Sequence, residues 1–365
     1  MVKLKINNTE YEAPEGLTIL DVARRAGLNI PTLCHKEGLP HYSSCMVCMV
    51  KDNKSNSFIP SCSALIQDNM DIDISGEDVI TLRRKALELL FSEHRAECEA
   101  PCKVVCPAGY NIPLMNRLIA GNDLEAASEL SRSATDSSEI MCFKCPGYCE
   151  NACRRKKVDN PVSIRNIQLF ISQSFNNDKQ IQVAADQINK NEIVSESGSK
   201  KGKLSKRFTS HIGRLEETEL HEWLKECTGE AIRFREISDV NSAANESKSC
   251  MHCDCRAADD CRLRDLAEDF SIKDPRGKFV NSPIEKKINH NTGLIFENAK
   301  CIKCGLCVRL CEDLKDEPSL CFIHRGFVSI ISEPLTEKFD NILKTRSKAV
   351  IEICPTGALS QLNKS

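Results

Sequence analysis

The feature that most constrains this chain is a group of four cysteines whose intervening segments are ten, two and thirteen residues long. A long first loop, a tight Cys-x-x-Cys pair and a distant fourth thiol suit a [2Fe–2S] cluster, because each of its two irons takes two cysteines from a wrapped chain. A disulfide framework would need no such asymmetry. The spacing therefore predicts a [2Fe–2S] site with the ligands Cys34, Cys45, Cys48 and Cys62.

The residues around this group predict a small sheet and a helix. Apolar and polar residues alternate over residues 2–6 and again over 70–74, which is typical of half-buried strands. Thr18 and Asp21 form a helix start, and Gly27 marks the end of that helix. We expect a β-grasp ferredoxin domain in which the loop that carries Cys34 follows the helix.

Composition supports metal binding elsewhere in the chain. The 365 residues include 22 cysteines, with 50 basic against 52 acidic residues. The start of the chain has no apolar leader, and no run is long enough to span a bilayer, so we expect a cytoplasmic protein without membrane insertion. In a reducing compartment, clustered Cys-x-x-Cys pairs indicate metal ligands rather than disulfides. The balanced charge gives no reason to expect nucleic acid as a partner.

The middle of the chain resembles two known families. Residues 80–98, ITLRRKALELLFSEHRAEC, resemble the segment after the [2Fe–2S] domain in the iron–sulfur subunit of respiratory complex I and in [FeFe]-hydrogenases. There a His-x-x-x-Cys pair begins a [4Fe–4S] site, and His94 with Cys98 match it. The stretches CEAPCKVVCP (98–107) and CFKCPGYCENAC (142–153) instead resemble the helical double-cluster domain of the glutamate synthase small subunit and of dihydropyrimidine dehydrogenase.

The second resemblance implies two interleaved [4Fe–4S] ligand sets. The first set is His94, Cys98, Cys102 and Cys153, with His94 in place of the family's leading cysteine. The second set is Cys106, Cys145, Cys149 and Gln168, with Cys142 as an alternative fourth ligand. A solvated His94, or a zinc module built from these cysteines, is the alternative interpretation, but proline directly after two of the cysteines favours iron–sulfur clusters.

The C-terminal region contains one ferredoxin cluster motif. Residues 301–311 have the Cys-x-x-Cys-x-x-Cys-x-x-x-Cys run of bacterial ferredoxins, and CPTGAL at Cys354 is the matching distal element. The thiols of a second cluster are absent, which leaves Cys311 without a ligand role. The motif therefore predicts one [4Fe–4S] site with the ligands Cys301, Cys304, Cys307 and Cys354.

A dense cysteine group lies upstream of that motif. Its members are Cys250, Cys253, Cys255 and Cys261. Structural zinc and a further [4Fe–4S] cluster are both open for this group, and so is a set of free thiols. Cys227 and Cys321 are interpreted as packed thiols rather than ligands.

These motifs predict an α+β multidomain chain. Its segments are the β-grasp domain with its following helix (1–93), the helical two-cluster domain (94–175), a linker with a small α/β segment (176–249), and the cysteine group with a ferredoxin-like domain (250–365). Within the linker segment, residues 217–227 predict a helix and 231–237 a strand. The expected cofactors are one [2Fe–2S] cluster, about three [4Fe–4S] clusters and a further zinc or [4Fe–4S] site.

Every predicted site carries electrons, and no catalytic residue is identified. The chain contains no Gly-x-Gly and no Walker motif. We therefore expect an electron-relay subunit between a flavoprotein that oxidises NAD(P)H and a catalytic partner such as a hydrogenase or formate dehydrogenase. One alternative is the iron–sulfur part of a glutamate-synthase-like or pyrimidine-reducing enzyme whose flavin domain is on another chain. Another is a redox-responsive binding protein.

Overall fold

The computed structural model describes residues 1–95, 97–134, 142–175, 216–272, 283–312 and 317–362. Their contacts group into two compact units. The first unit contains the described residues of 1–95 and 256–362, and the second contains those of 97–255. In sequence, the second unit is therefore an insertion into the first. The boundaries of the four segments predicted from the sequence remain predictions, because the contacts separate only these two units.

The first unit begins with a five-stranded mixed sheet. Its strands are β1 (Val2–Ile6), β2 (Thr9–Ala13), β3 (Met49–Asp52), β4 (Ser57–Pro60) and β5 (Asp71–Asp73), in the order β2-β1-β5-β3-β4. Only the β1–β5 pair is parallel. Leu4 and Ile6 are buried, as the alternating sequence predicts. Asn7 and Asn8 have φ angles of +47° and +67°, which gives β1 and β2 the tight turn that a hairpin requires.

The Ile19–Arg25 helix packs on this sheet and begins with the predicted cap. The Asp21 amide donates to the Thr18 hydroxyl at 3.1 Å, and the Thr18 amide donates to the Asp21 carboxylate at 2.9 Å. These bonds satisfy donors that a helix start otherwise leaves unpaired. At the other end, Gly27 has a φ of +73° and turns the chain into the loop that carries Cys34.

The helix predicted after the sheet forms over Glu77–Glu93, and not all of its apolar residues are buried. Val79, Ala86 and Leu87 are buried, whereas Leu89 is 66% exposed. Helical geometry explains the difference, because residues seven and eight positions apart share a face while Leu89 lies two positions beyond Leu87. The mixed α+β class is confirmed.

The rest of the first unit consists of short elements. Its helices are Arg262–Asp269, Leu306–Arg309 and Ser347–Ile353, with 3₁₀ turns at Asn298–Lys300, Gly326–Val328 and Phe339–Asn341. Its strands are β6 (Lys286–Ile288), β7 (Leu294–Glu297), β8 (Cys321–Ile323), β9 (Ile330–Ser332) and β10 (Leu359–Gln361). β10, β7 and β6 form an antiparallel sheet, and β8 pairs with β9.

The second unit is helical where it is described. Its helices are Pro101–Val104, Ile112–Ala120, Leu124–Ala134, Tyr148–Asn151, Ile164–Phe175, Leu220–Leu224 and Val240–Ser247, with 3₁₀ turns at Arg154–Lys157 and Glu217–Glu219. The helix predicted at 217–227 is present in shortened form, and the strand predicted at 231–237 is not formed.

The two ends of the second unit meet each other. The Cys255 amide donates to the Cys98 carbonyl at 3.1 Å. Close termini are what allows one domain to be inserted into another without disturbing it. Across the described residues, the structure contains no helix with the length and apolarity to cross a membrane.

The helix cap gives a local stability prediction. Thr18→Ala removes the hydroxyl acceptor, so we expect the opening free energy of the Ile19–Arg25 amides to fall by about 1 kcal/mol. Hydrogen exchange of the full chain measures this change. Thr18→Ser is the matched control, because it keeps the hydroxyl. Equal exchange in Thr18→Ala and the unchanged chain would contradict the role of the cap.

Candidate metal centres

The four N-terminal cysteines converge at one end of the β3–β4 strand pair. Cys48 directly precedes β3 and Cys62 follows β4, while Cys34 and Cys45 lie in the loop after the first helix. All four are buried, with exposures of 4% or less. Ser43 and Met46, on either side of Cys45, have φ angles of +47° and +56°. This left-handed backbone is costly for residues other than glycine, and here it curls the loop around the thiols.

These cysteines form two close pairs, as a two-iron centre requires. Cys34 interacts with Cys45 as a hydrogen-bonding pair, and this contact lowers the pKa of Cys34 and raises the pKa of Cys45. Cys48 and Cys62 form the second pair, in which the pKa of Cys62 is lowered and that of Cys48 raised by the same kind of contact. Two adjacent thiol pairs match the two-cysteines-per-iron pattern of a [2Fe–2S] cluster.

A buried cation lies beside this centre. Arg83 is 4% exposed and donates from Nε to the Met49 carbonyl at 3.0 Å. Burial lowers the pKa of Arg83 to about 10, and the interaction with Cys48 acts in the opposite direction. An anionic cluster bound at Cys48 would therefore have a fixed positive charge close to it.

The four predicted C-terminal cysteines also come together. Cys301, Cys304, Cys307 and Cys354 line one cavity with apolar walls. The pKa of Cys301 is raised to about 12, first by burial and to a smaller extent by Cys354. The pKa values of Cys304 and Cys307 are raised in the same way, first by burial. Neutral thiols suit this enclosed site, and bound iron would convert them to thiolates.

Hydrogen bonds to sulfur are already formed at this cavity. The Lys303 amide donates to Cys301 Sγ at 3.4 Å, and the Thr356 hydroxyl lies 3.7 Å from Cys354 Sγ. Such bonds help to set the reduction potential of a cluster. Lys303 and Gly305 have φ angles of +53° and +72°, so the backbone between the ligands winds tightly. Cys311 lies in the apolar core beside the cavity.

One arginine connects the two centres of the first unit. Arg309, which is 2% exposed, donates from Nη2 to the carbonyls of Cys34 at 2.6 Å and Cys304 at 3.2 Å. Its other terminal nitrogen donates to the Pro40 carbonyl, and its guanidinium carbon lies 4.7 Å from the centre of the Tyr42 ring. Cys34 and Cys304 also belong to one apolar core. A single side chain thus fixes the backbone of both candidate cluster loops.

His94 is buried in the first unit in an orientation suited to a ligand. Its Nδ1 donates to the Lys300 carbonyl at 2.8 Å, and its ring packs edge-on against Phe91 at 5.7 Å. A carbonyl only accepts, so the proton is on Nδ1 and Nε2 carries the lone pair with which imidazole binds metals. Burial lowers the pKa of His94 to about 4, so the ring is neutral at pH 7. The solvated alternative does not hold, because His94 is 6% exposed.

The second unit gathers a group of cysteines around Tyr110. Cys142 interacts with Cys106 and Cys145, and Cys149 interacts with the same two residues. Burial is the first cause that raises the pKa values of Cys142 and Cys149, to about 12 for Cys142. Both Cys106 and Cys142 lie near Tyr110, whose pKa is likewise raised by burial.

Gln168 has the orientation of a ligand rather than of an ordinary core amide. It is 1% exposed, and its Nε2 donates to the Ser131 hydroxyl at 2.6 Å. Its Oε1 is buried and has no hydrogen-bond partner among the residues that the structure describes. An unpaired buried carbonyl is costly, and a metal would satisfy it. Gln168 also lies next to Tyr110, around which Cys106 and Cys142 are placed. Gln168 and Cys142 both fit as the fourth ligand.

Two of the ligand sets predicted from the sequence contain residues from both units of the structure. His94 belongs to the first unit, whereas Cys98, Cys102 and Cys153 belong to the second. Of the dense group, Cys261 packs in a core of the first unit, donating to the Pro355 carbonyl at 3.8 Å. The other three, Cys250, Cys253 and Cys255, belong to the second unit. Both sets remain predictions as ligand groups.

Two of these second-unit cysteines share a core with an unexpected partner. Cys102 and Cys153 pack in the apolar core that contains Cys250.

Across the described ranges, no three or more His, Cys, Asp or Glu side chains stand close enough to hold a single metal ion.

Sequence reasoning missed the arginines. Arg309 lies inside the ferredoxin run, and Arg83 lies on the helix after the sheet. Neither carries a spacing signal, because their role depends on carbonyls that only the folded chain brings within reach. The grouping of Cys102 and Cys153 with Cys250 was missed for the same reason, since almost a hundred residues separate Cys153 from Cys250.

Three family profiles match separate stretches of the chain. They describe a 2Fe-2S iron-sulfur cluster binding domain at residues 1–76, dihydropyrimidine dehydrogenase domain II with its 4Fe-4S cluster at 91–180, and the ferredoxin-like domain of NADH-quinone oxidoreductase subunit 3 at 294–360. The resemblances found in the sequence are thereby confirmed. The chain contains one [2Fe–2S] domain and [4Fe–4S] domains.

Relatives share parts of this chain. The NADP-reducing hydrogenase subunit HndD of Solidesulfovibrio fructosivorans is 37% identical over 166 residues, which is 41% of this chain and 28% of that protein. The 75 kDa subunit of the NADH-ubiquinone oxidoreductase of Reclinomonas americana is 28% identical over 38% of this chain and 19% of its own length. The gamma subunit of the NAD-reducing hydrogenase HoxS of Cupriavidus necator is 26% identical over 31% of this chain and 50% of its own length. The chain therefore spans half or less of each of these relatives.

A solved structure shares the fold. A chain in the crystal structure of an NAD⁺-reducing [NiFe]-hydrogenase in its H₂-reduced state superposes with a TM-score of 0.50 at 16% identity. The match covers 99% of this chain and 87% of that one.

The bridging arginine gives a testable prediction. Lysine at position 309 would keep the charge, but its single nitrogen cannot occupy the positions of both terminal guanidinium nitrogens, so buried acceptors would be left unpaired. We expect Arg309→Lys to destabilise the iron-loaded chain by about 1–3 kcal/mol. It should also weaken the magnetic interaction between the two centres in the reduced protein.

Thermal unfolding and electron paramagnetic resonance measure these two effects. Arg262→Lys is the matched control, since Arg262 is exposed and donates to the Thr32 carbonyl of the same unit at 2.7 Å. Equal melting temperatures and equal spectra for the two variants would contradict the bridging role.

Proposed function

We propose that this chain is an iron–sulfur electron-transfer subunit. It relays single electrons between a flavoprotein that oxidises NAD(P)H and a catalytic partner such as a hydrogenase or formate dehydrogenase. The observation that carries the proposal is the Arg309 link between the Cys34 and Cys304 loops. Two cluster sites fixed against each other in one core are the minimum that an electron relay needs.

The proposed architecture assigns a role to each segment. A β-grasp domain holds the [2Fe–2S] cluster, a helical domain holds two [4Fe–4S] clusters, and a ferredoxin-like domain holds one more. Three ligand sets are supported by the convergence of their side chains. They are Cys34, Cys45, Cys48 and Cys62; Cys301, Cys304, Cys307 and Cys354; and Cys106, Cys145 and Cys149 with Gln168 or Cys142.

The chemistry of these sites is electron storage and transfer. The clusters supply one-electron redox steps at potentials that depend on ligand type, burial and hydrogen bonds to sulfur. The chain's own residues hold the thiolates in place, exclude water from the apolar cavity and place cations such as Arg83 beside the anionic centre. A flavoprotein partner is needed because a nicotinamide delivers two electrons as hydride, whereas a cluster accepts one at a time.

The relatives support the choice of partners. The names of HndD and of the gamma subunit of HoxS place those proteins in NADP- and NAD-linked hydrogenases. We expect this chain to work in the same kind of complex, in the cytoplasm, without nucleic acid and without inserting into a membrane. A second candidate function is the iron–sulfur part of a glutamate-synthase-like or pyrimidine-reducing enzyme, which the match at residues 91–180 favours.

Purification of the native complex tests the function. The chain should co-purify anaerobically with a flavoprotein, and NAD(P)H should reduce its clusters within that complex. FMN together with a hydrogenase or formate dehydrogenase subunit would support the relay, whereas FAD with an amidotransferase or a pyrimidine reductase would support the second candidate. Clusters that no flavoprotein reduces at catalytic rates would instead indicate a redox-responsive binding protein.

The C-terminal ligand set gives a separate prediction. Cys354→Ser replaces a thiolate that lines the cavity, so we expect loss of one [4Fe–4S] cluster or its conversion to a three-iron form. Cys311→Ser is the matched control, because Cys311 packs in the adjacent core without lining that cavity. Iron analysis and electron paramagnetic resonance distinguish the outcomes. Loss of the cluster in Cys311→Ser with retention in Cys354→Ser would reverse the ligand assignment.

A further inference from the structure

The core of the second unit includes a chain segment that lies outside the helical cluster domain matched at residues 91–180. The match to that domain ends at residue 180, but the core of the second unit continues through the Val240–Ser247 helix to Cys250. Cys102 and Cys153 pack in this same core, which also contains Cys106 and Cys149 of the other ligand set. Thiols from three separate stretches of the chain therefore meet in one core.

The backbone just before Cys250 is hydrogen-bonded to the segment that follows Cys153. Arg155, two residues after Cys153, donates to the Ser249 carbonyl at 3.0 Å and is itself paired with Asp159 at 2.6 Å. His252 has a φ of +47°, so the chain between Cys250 and Cys253 reverses sharply. The turn therefore keeps Cys253 close to Cys250.

Two more contacts close the turn on its far side. Asp254 receives both terminal nitrogens of Arg117, at 2.9 and 2.8 Å, and both side chains are almost fully buried. Cys255 then bonds to the Cys98 carbonyl, close in sequence to Cys102. Bidentate ion pairs and backbone bonds fix the position of a loop far better than apolar packing alone.

The four thiols of this region lie within electrostatic reach of one another. Cys102 interacts with Cys250, Cys153 and Cys253, in that order, and then with Cys149. Cys253 interacts with Cys250 and Cys153, and also with the Arg154 guanidinium. Cys250 interacts with Cys153.

Buried ion pairs surround these thiols. Arg154 interacts with Cys253 and also bonds to both carboxylate oxygens of Glu97, at 3.2 and 3.3 Å. Arg154 is 8% exposed and Arg155 is 4% exposed. Because Arg154 is paired with Glu97 and Arg155 with Asp159, these side chains fix the segments around the thiols without adding net charge.

We propose that Cys102, Cys153, Cys250 and Cys253 bind one [4Fe–4S] cluster. Cys250 and Cys253 supply the Cys-x-x-Cys pair that the recognised domain lacks at its start, where His94 and Arg95 stand. The cluster thereby ties the first and last stretches of the second unit together. The proposal deepens the electron-relay function, because it assigns the ligands of one of the two centres proposed for the helical domain, but its test does not depend on electron transfer.

The test uses the full chain, purified anaerobically and analysed for iron, sulfide and zinc. Cys250→Ser and Cys253→Ser should each lose about four irons or give a three-iron signal. Cys227→Ser is the matched control, because its Sγ donates to the Cys250 carbonyl at 3.2 Å while the residue lies outside the proposed set. This control should retain all of its iron. Unchanged iron with loss of zinc in the Cys250 and Cys253 variants would overturn the proposal.

Paired variants separate ligand loss from general damage. If Cys153 and Cys250 hold the same cluster, the double variant Cys153→Ser with Cys250→Ser should lose no more iron than either single variant. Cys149→Ser with Cys250→Ser should lose two clusters, because Cys149 lies with the other ligand set. If the iron lost by the Cys153→Ser, Cys250→Ser double variant equals the sum of the losses in the two single variants, the proposal is overturned.

A measurement without variants covers the case in which the serine variants do not fold. In the iron-loaded chain, all four thiols should resist alkylation, and during gradual removal of iron by a chelator they should become reactive with one common rate. Mass spectrometry of the labelled peptides reports each cysteine. Labelling of Cys250 and Cys253 while Cys102 and Cys153 stay protected would overturn the shared site.

Discussion

The structure depends on one requirement, which is that thiols from distant parts of the chain meet in pairs and fours. Cys62 reaches Cys48 across the β3–β4 hairpin, and Cys354 joins a run that lies about fifty residues earlier. The elements between them are short, and many strands have only three or four residues. Such elements bury little apolar area, so bound clusters would supply cross-links that the small cores lack.

Buried arginines are the second theme of the molecule. Arg83 lies beside the N-terminal thiols, Arg309 bridges two candidate cluster loops, and Arg117 and Arg154 fix the loop around Cys253. A buried guanidinium without a partner would be strongly destabilising. Here each one donates to backbone carbonyls or carboxylates and stands near thiols that become negative when they bind iron. Charge balance and loop positioning are thus provided by the same side chains.

The inserted second unit explains why two family resemblances occur in one chain. The first unit continues across it from residue 95 to 256, and the hydrogen bond between Cys255 and Cys98 brings the ends of the insertion together. An added helical domain of this kind could bring further redox centres without changing the sheet that holds the N-terminal thiols. It also divides cysteines that look contiguous in the sequence, such as Cys255 and Cys261, between two units.

The sequence by itself determined the cluster content and the local elements. Cysteine spacing predicted the thiols that converge at the sheet and at the C-terminal cavity, and Thr18, Asp21 and Gly27 predicted the ends of one helix, because these signals depend on neighbouring residues. Only the tertiary structure decided that Cys102 and Cys153 share a core with Cys250, that Gln168 leaves its carbonyl unpaired, and that Arg309 joins two loops. The physical reason is that these contacts link residues tens to hundreds of positions apart, and no local pattern records which distant backbone a side chain will reach.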